Sequence, residues 1–156
     1  MVFEEEFRVQ APVERVWEFL LDVGQVAGYV PGCVSARRLD APGRFRVEIA
    51  VRVGFIAATF TVRVELTEQR PPTYLASVAY GEERGLGSTL TQRNELSLIG
   101  EPDGGTRVRF RTDVNVLGRL GKLGQGLMRE TARRMVAEFA TCLRTRLEAE
   151  AVEPTA

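Results

Sequence analysis

The chain has 156 residues, with 21 basic and 21 acidic side chains and no histidine. That length suits one domain with a sizeable core. The balanced charge leaves no footprint for nucleic acid, and the missing imidazole removes Ser-His and Cys-His nucleophiles, the usual zinc sites and the commonest general base near neutral pH. Binding is therefore favoured over catalysis, with no catalytic residue, metal or cofactor expected. Cys33 and Cys142 lie far apart with no CxxC, which suits a reducing cytoplasm. No apolar run approaches the roughly 20 residues that span a bilayer, and MVFEEEF is acidic where a signal peptide is basic, so a soluble cytoplasmic protein is expected.

Residues 2–10 read as a strand, with Phe3, Phe7 and Val9 in alternating phase. Pro12 then sits where a first helical turn tolerates proline, and Val13, Val16, Trp17, Leu20 and Leu21 repeat at helical spacing. The helix should stop near Asp22-Val23-Gly24. A second short helix or turn leads to YVPGC, where Pro31-Gly32 forces a break. From Cys33 the period becomes two: Phe45, Val47, Ile49, Val51 and Val53 form one ladder, and Ile56, Ala58, Phe60, Val62, Val64 and Leu66 a second. Further strands are expected at about 73–82, 87–99 and 105–116, separated by turn signals at Pro71-Pro72, Gly85 to Gly87 and Asp103-Gly104-Gly105. Such short connections imply an antiparallel meander. A long helical pattern from about Leu120 to Glu150 follows, and Ala151 to Ala156 reads as a disordered tail. The expected plan is a single α+β domain over 1–150: strand, two helices, about six antiparallel strands, one long helix.

On the last helix, Leu120, Leu123, Leu127, Met128, Met135, Phe139, Cys142 and Leu143 project onto one wide apolar arc. Arg119, Lys122, Arg129, Arg133 and Arg144 gather in a narrower basic arc, read first as a solvated face, with anionic headgroups or an acidic partner as the alternative. LGRLGKLGQGLM at 117–128 crowds four glycines together. It is no P-loop, because Val116 stands where that motif needs glycine and Leu123 where it needs Ser or Thr. The dinucleotide fingerprint lacks its βαβ context. Helical glycine costs about 1 kcal/mol relative to alanine, so unless the helix begins only after Gly126, these residues indicate either close helix–sheet packing or a portal for a ligand. The two readings weigh equally.

Other candidates have plainer readings. Cys33 after Pro31-Gly32 reads as a turn residue rather than a reactive thiol, and Cys142 as core. Trp17 and Phe19 should pack the short helix onto the sheet or the opening. Met128 and Met135 suit either a core or an adaptable lipid-binding wall. Glu4-Glu5-Glu6 and Glu82-Glu83 lack matching ligands and read as surface. Tyr29, Tyr74 and Tyr80 are candidate hydrogen-bond donors to a ligand carbonyl.

The order of APVERVWEFLLD at 11–22, VPGCVSARRL at 30–39, VRVGFIAATFTVRVEL at 51–66, the PP turn at 71–72 and GGTRVRFRTDVNVLGRLGKLG at 104–124 resembles the CoxG family, named for the G subunit of carbon monoxide dehydrogenase. That family belongs to the START-like, or SRPBCC, helix-grip (Bet v 1-like) superfamily, and the resemblance runs from about Phe3 to Leu147. It implies an antiparallel sheet of six or seven strands around a long C-terminal helix, with a hydrophobic cavity between them. It further implies an accessory role beside a molybdenum hydroxylase of the carbon monoxide dehydrogenase type, in binding or delivering a membrane quinone or in maturation. Some relatives carry a C-terminal membrane anchor; none is expected behind EAEAVEPTA, so at most transient contact with the inner membrane face is anticipated. The cavity walls are expected from Phe60, Val62, Val78, Tyr80 and Phe110 on the strands and Leu123, Leu127, Met128, Met135 and Phe139 on the helix. Tyr29 would add a polar contact, and the portal would lie near Pro31, Gly118, Gly121 and Gly124. The strand assignments depend on phase, since a one-residue slip turns every wall residue outward. Three functions stay open: a carrier or sensor of a quinone or other isoprenoid lipid, a maturation factor acting by protein contact, and a small cyclase, aromatase or dehydratase.

Overall fold

The computed structural model describes residues 1–152, with backbone alone at Val23, Gly24 and 150–152. Strand β1 (Val2–Val9) leads to helix α1 (Val13–Leu21), the short helix α2 (Val23–Val26) and a 3-10 turn at Ala27–Tyr29. Strands β2 (Cys33–Arg38), β3 (Arg44–Val53), β4 (Ile56–Arg70), β5 (Tyr74–Glu83), β6 (Ser88–Gly100) and β7 (Thr106–Leu117) follow. A second 3-10 turn, Leu120–Leu123, precedes helix α3 (Gln125–Val152). The expected α+β class and order of elements therefore hold, with the helix beginning at Gln125 after a tight turn rather than at about Leu120. Residues 151 and 152 continue α3 instead of joining a tail, and 153–156 lie outside the described residues.

The strands form one seven-stranded sheet in the order β1-β7-β6-β5-β4-β3-β2, with every pair antiparallel. Hairpins link β2 to β7 in sequence, as short connections require. The first strand adds beside the last, so α1 and α2 carry the chain from one sheet edge to the other. Helix α1 starts because Pro12, extended at ψ 153°, accepts at its carbonyl from the amides of Arg15 and Val16. It buries Val16, Trp17 and Phe19.

The core is divided. One cluster joins Val9, Ala11, Val16, Trp17, Phe19, Leu98 and Val108 to Leu143 and Leu147 of α3. The other joins Ala58, Phe60, Val62 and Ala79 to Leu120 of the second 3-10 turn. Leu120 is fully buried, and its amide donates to Ser88 Oγ at 3.1 Å. The C-terminal half of α3 is thus anchored by two leucines, whereas among the described residues its N-terminal half buries no large apolar side chain completely.

That N-terminal half is tethered by arginines instead. Arg129 donates to the Val2 carbonyl at 3.2 Å and lies over the Phe3 ring, and Arg133 pairs with Glu5 at 3.9 Å. Farther along the helix, Arg144 donates to the Arg8 carbonyl at 2.7 Å beside Phe7. These residues face β1, an edge strand with unpaired backbone groups. On the opposite flank Arg134 donates to the Arg52 carbonyl of β3 at 2.9 Å. The basic arc is therefore no free solvated face at Arg129, Arg133 and Arg144: it clasps the sheet edge.

The acidic N-terminus is explained by the same strand. Glu4 and Glu6 point outward and pair across the register with Arg111, Arg107 and Arg109 of β7, opposite-charge neighbours that favour the pairing. Glu5, read from the sequence as surface, instead shares the inward phase of Phe3 and Phe7. Glu83 is a second correction: it is buried, and both carboxylate oxygens accept from the Leu86 amide at 3.1 and 2.8 Å, closing the β5–β6 turn. Cys142 is exposed on α3, one position off the buried Leu143; the wide arc projected from sequence overstates the face that is covered.

Because Leu143 is enclosed and Met135 borders open space, truncating them should have unequal effects. Leu143→Ala is expected to cost about 2–5 kcal/mol, and Met135→Ala about half of that or less, in urea unfolding monitored by circular dichroism.

Candidate functional site

Between the two core clusters the sheet and α3 do not meet. The gap is a cavity in two adjoining lobes of about 410 and 450 Å³, both bordered by Phe3, Val26, Val30, Gln92, Asn94, Thr112, Ala132 and Met135. The first lobe runs under the N-terminal half of α3. Its walls are Phe45, Val47, Ile49, Val51 and Val53 of β3, Phe60, Val62, Val64 and Leu66 of β4, and Met128 and Thr131 of α3. The second lobe continues beneath Val136 and Phe139 over Phe7, Leu75, Leu96, Val108 and Phe110. At its rim stand Glu5 and Arg133, the pair of side chains that bridges β1 and α3.

Phe60, Val62, Phe110, Met128, Met135 and Phe139 line this cavity. Val78 and Tyr80 do not: both are exposed, and their neighbour Ala79 takes the inward position. The inward residues of β5 are Leu75, Ser77 and Ala79, so the more hydrophobic phase of that strand faces out. Tyr80 donates to Glu82 at 3.2 Å and Tyr74 to Glu95 at 2.7 Å, both on the outer surface. Accepting carboxylates hold both phenols above their usual pKa. Tyr29 packs edge-on against Phe19, centroids 5.4 Å apart, and joins the first core cluster. The three tyrosines are thus outside the cavity wall.

Leu127 rests over the β3–β4 hairpin, 3.2 Å from where a Cβ on Gly54 would sit, and Leu123 packs on the second core cluster. Neither lines the cavity. The glycines divide. A Cβ on Gly118 would lie 2.4 Å from the Gly87 carbonyl oxygen, and one on Gly121 2.2 Å from that of Val116. Close backbone approach accounts for both. Gly124 adopts φ +99° in open space immediately before α3, where an L side chain would be strained. Pro31 borders the second lobe, next to Val30, which borders both.

The cavity's polar side chains were not anticipated. Ser77, Asn94 and Thr112 stand directly opposite one another on β5, β6 and β7. Thr112 Oγ1 donates to Asn94 Oδ1 at 2.7 Å, and Asn94 Nδ2 donates to Ser77 Oγ at 3.3 Å. Gln92 is the next inward residue along β6. The signal was present in the sequence: Leu90, Gln92, Asn94, Leu96 and Leu98 alternate inward on β6, so two amides occupy ladder positions usually held by apolar residues. Among the described residues no group of three or more His, Cys, Asp or Glu side chains is placed to hold a metal.

A profile of the G subunit of carbon monoxide dehydrogenase (CoxG) matches residues 6–148. The chain belongs to the CoxG family. The family takes its name from that subunit. A comparison with curated protein sequences found no match. Among solved structures, a conserved protein from Geobacillus kaustophilus is 17% identical with a TM-score of 0.88, each chain covered over 96%. A START superfamily protein from Mycobacterium smegmatis is 14% identical with a TM-score of 0.72, over 95% of this chain and 97% of the other. Zhui aromatase/cyclase from Streptomyces sp. R1128 is 18% identical with a TM-score of 0.72, over 97% and 95%. These likenesses establish the START-like helix-grip fold. No helix among the described residues is long and apolar enough to cross a membrane.

The two thiols should report their surroundings. Cys33 is partly enclosed, and burial pushes its pKa up, outweighing the opposing effect of the Ser35 backbone. Ellman's reagent at pH 8 is expected to modify exposed Cys142 at least about tenfold faster than Cys33. Equal rates, measured with Cys33→Ser and Cys142→Ser, would refute that assignment.

Proposed function

We propose that this protein binds and carries a hydrophobic small molecule, a quinone or other isoprenoid lipid, in the cavity beneath α3. In that role it serves as an accessory to a molybdenum hydroxylase of the carbon monoxide dehydrogenase type. The observation that carries this reading is the divided core: the sheet is packed at both ends and hollow between them, with walls that are almost entirely apolar. Each lobe falls in the volume range of small-molecule sites. A buried CH2 contributes about 0.8 kcal/mol, so three isoprene units contribute on the order of 10 kcal/mol gross. Association costs about 4–15 kcal/mol, so a tail of about that length is needed before binding becomes useful. Val30 and Pro31, between β2 and α3, are the proposed entry, in place of the glycines at 118 and 121, whose close contacts already account for them.

The cyclase reading has the Zhui aromatase/cyclase likeness behind it. Against it, the polar side chains that the central strands turn inward are amides and hydroxyls, which cannot exchange a proton near neutral pH as a general acid or base would, and the carboxylate bordering the second lobe, Glu5, is paired with Arg133.

Extracting the purified protein with organic solvent should release a near-stoichiometric isoprenoid or quinone, identified by mass spectrometry. Ala132→Phe, which places a ring where both lobes meet, should lower affinity for a farnesyl naphthoquinone at least about tenfold by calorimetry while the fold is kept. If nothing hydrophobic is extracted and the parent binds no such quinone, the carrier reading fails, and assembly by protein contact takes its place.

A further inference from the structure

We infer that Gln92 and Asn94 form a hydrogen-bonding station for a neutral carbonyl, midway along the cavity, so that the ligand is a ketone or quinone seated with apolar groups on both sides. This rests on the reading that the cavity takes a hydrophobic ligand. The station is defined by what the protein leaves unused. Asn94 commits its carbonyl to Thr112 and one N–H to Ser77, which fixes the amide's orientation and leaves its second N–H available. Gln92 commits nothing: among the described residues its amide makes no side-chain hydrogen bond, and since no fully buried side-chain N or O atom there lacks a partner, the half-buried amide is reached from the two lobes it borders. Two inward residues two positions apart on one strand share a face, so both amides can address one group.

Once an apolar ligand fills the cavity, such an amide is costly unless the ligand offers it a partner. A ladder that served only to join strands would be complete with Ser77, Asn94 and Thr112, and would have no use for Gln92. A carbonyl oxygen accepts two hydrogen bonds and matches two amide N–H donors. A fatty-acid carboxylate matches poorly. The charged groups of residues bordering the lobes are already paired, Glu5 with Arg133 at the rim of the second and the Met1 ammonium with Asp113, so a carboxylate at the station would be buried without a free counter-ion.

The test compares a farnesyl-substituted 1,4-naphthoquinone with the naphthalene of the same ring and tail but no carbonyls, each titrated calorimetrically against the full chain. The parent should bind the quinone about ten- to a hundredfold more tightly, as two neutral hydrogen bonds allow. Gln92→Leu should reduce that preference about three- to tenfold, leave naphthalene binding equal or tighter, and keep or raise the melting temperature, because it removes an unpartnered amide. Gln92→Met, closer in shape, serves if the leucine variant does not fold. If the parent binds both probes equally, or if neither variant changes the preference, the station is refuted while the carrier reading stands. If the parent binds neither probe, the carrier reading itself fails and takes the station with it.

Discussion

The structure depends on how α3 is held. Its C-terminal half is fixed by Leu143 and Leu147, buried against α1 and the sheet. Its N-terminal approach is fixed by Leu120, whose amide is held by Ser88. Between these points the helix is tethered at its sides, by Arg129 and Arg133 to β1 and by Arg134 to β3. None of these tethers requires anything beneath the helix. A curved antiparallel sheet and a straight helix touch at the ends and diverge in the middle, and here the middle is left unfilled.

The arginine clasp has a second effect. β1 is an edge strand, and its outward carbonyls would otherwise template pairing with another chain. Arg129 and Arg144 occupy the carbonyls of Val2 and Arg8, while Arg133 covers the inward Glu5. Each is an exposed contact of modest strength. Together they close the β1 side of the cavity with polar bonds, away from the proposed entry at Val30 and Pro31. On the proposed carrier reading, that division of labour, apolar anchoring at the ends and polar closure along the flank, would keep the hollow in place while a molecule enters and leaves.

Much of this was legible in the sequence, because β3 and β4 alternate cleanly and their larger side chains face in. Phe60 and Val62 therefore fell on the correct side. β5 inverted the rule: Tyr74, Val78 and Tyr80 face out, while Ser77 and Ala79 face in. A strand that lines a hollow can present small or polar residues inward, since nothing there must be filled, so hydrophobicity alone assigns its phase wrongly. The same physics concealed Gln92 and Asn94, polar residues in a ladder expected to be apolar. Gly118 and Gly121 were ambiguous for a different reason: both close packing and an opening call for a missing side chain, and only the distances to Gly87 and Val116 decide between them. Cys142 and Leu127 failed because an ideal helical projection gives an arc wider than the surface α3 meets.

The central claim is that an apolar ligand occupies the hollow under the N-terminal half of α3. Met128 and Met135 both border the first lobe there, and their methyl groups can be observed directly. We would label the methionine methyls with carbon-13 and record intermolecular NOEs with a farnesyl naphthoquinone in solution. Both the Met128 and Met135 methyls should show NOEs to the ligand, and Ala132→Phe should abolish them. Binding of the quinone with no NOE to either methyl would contradict the claim.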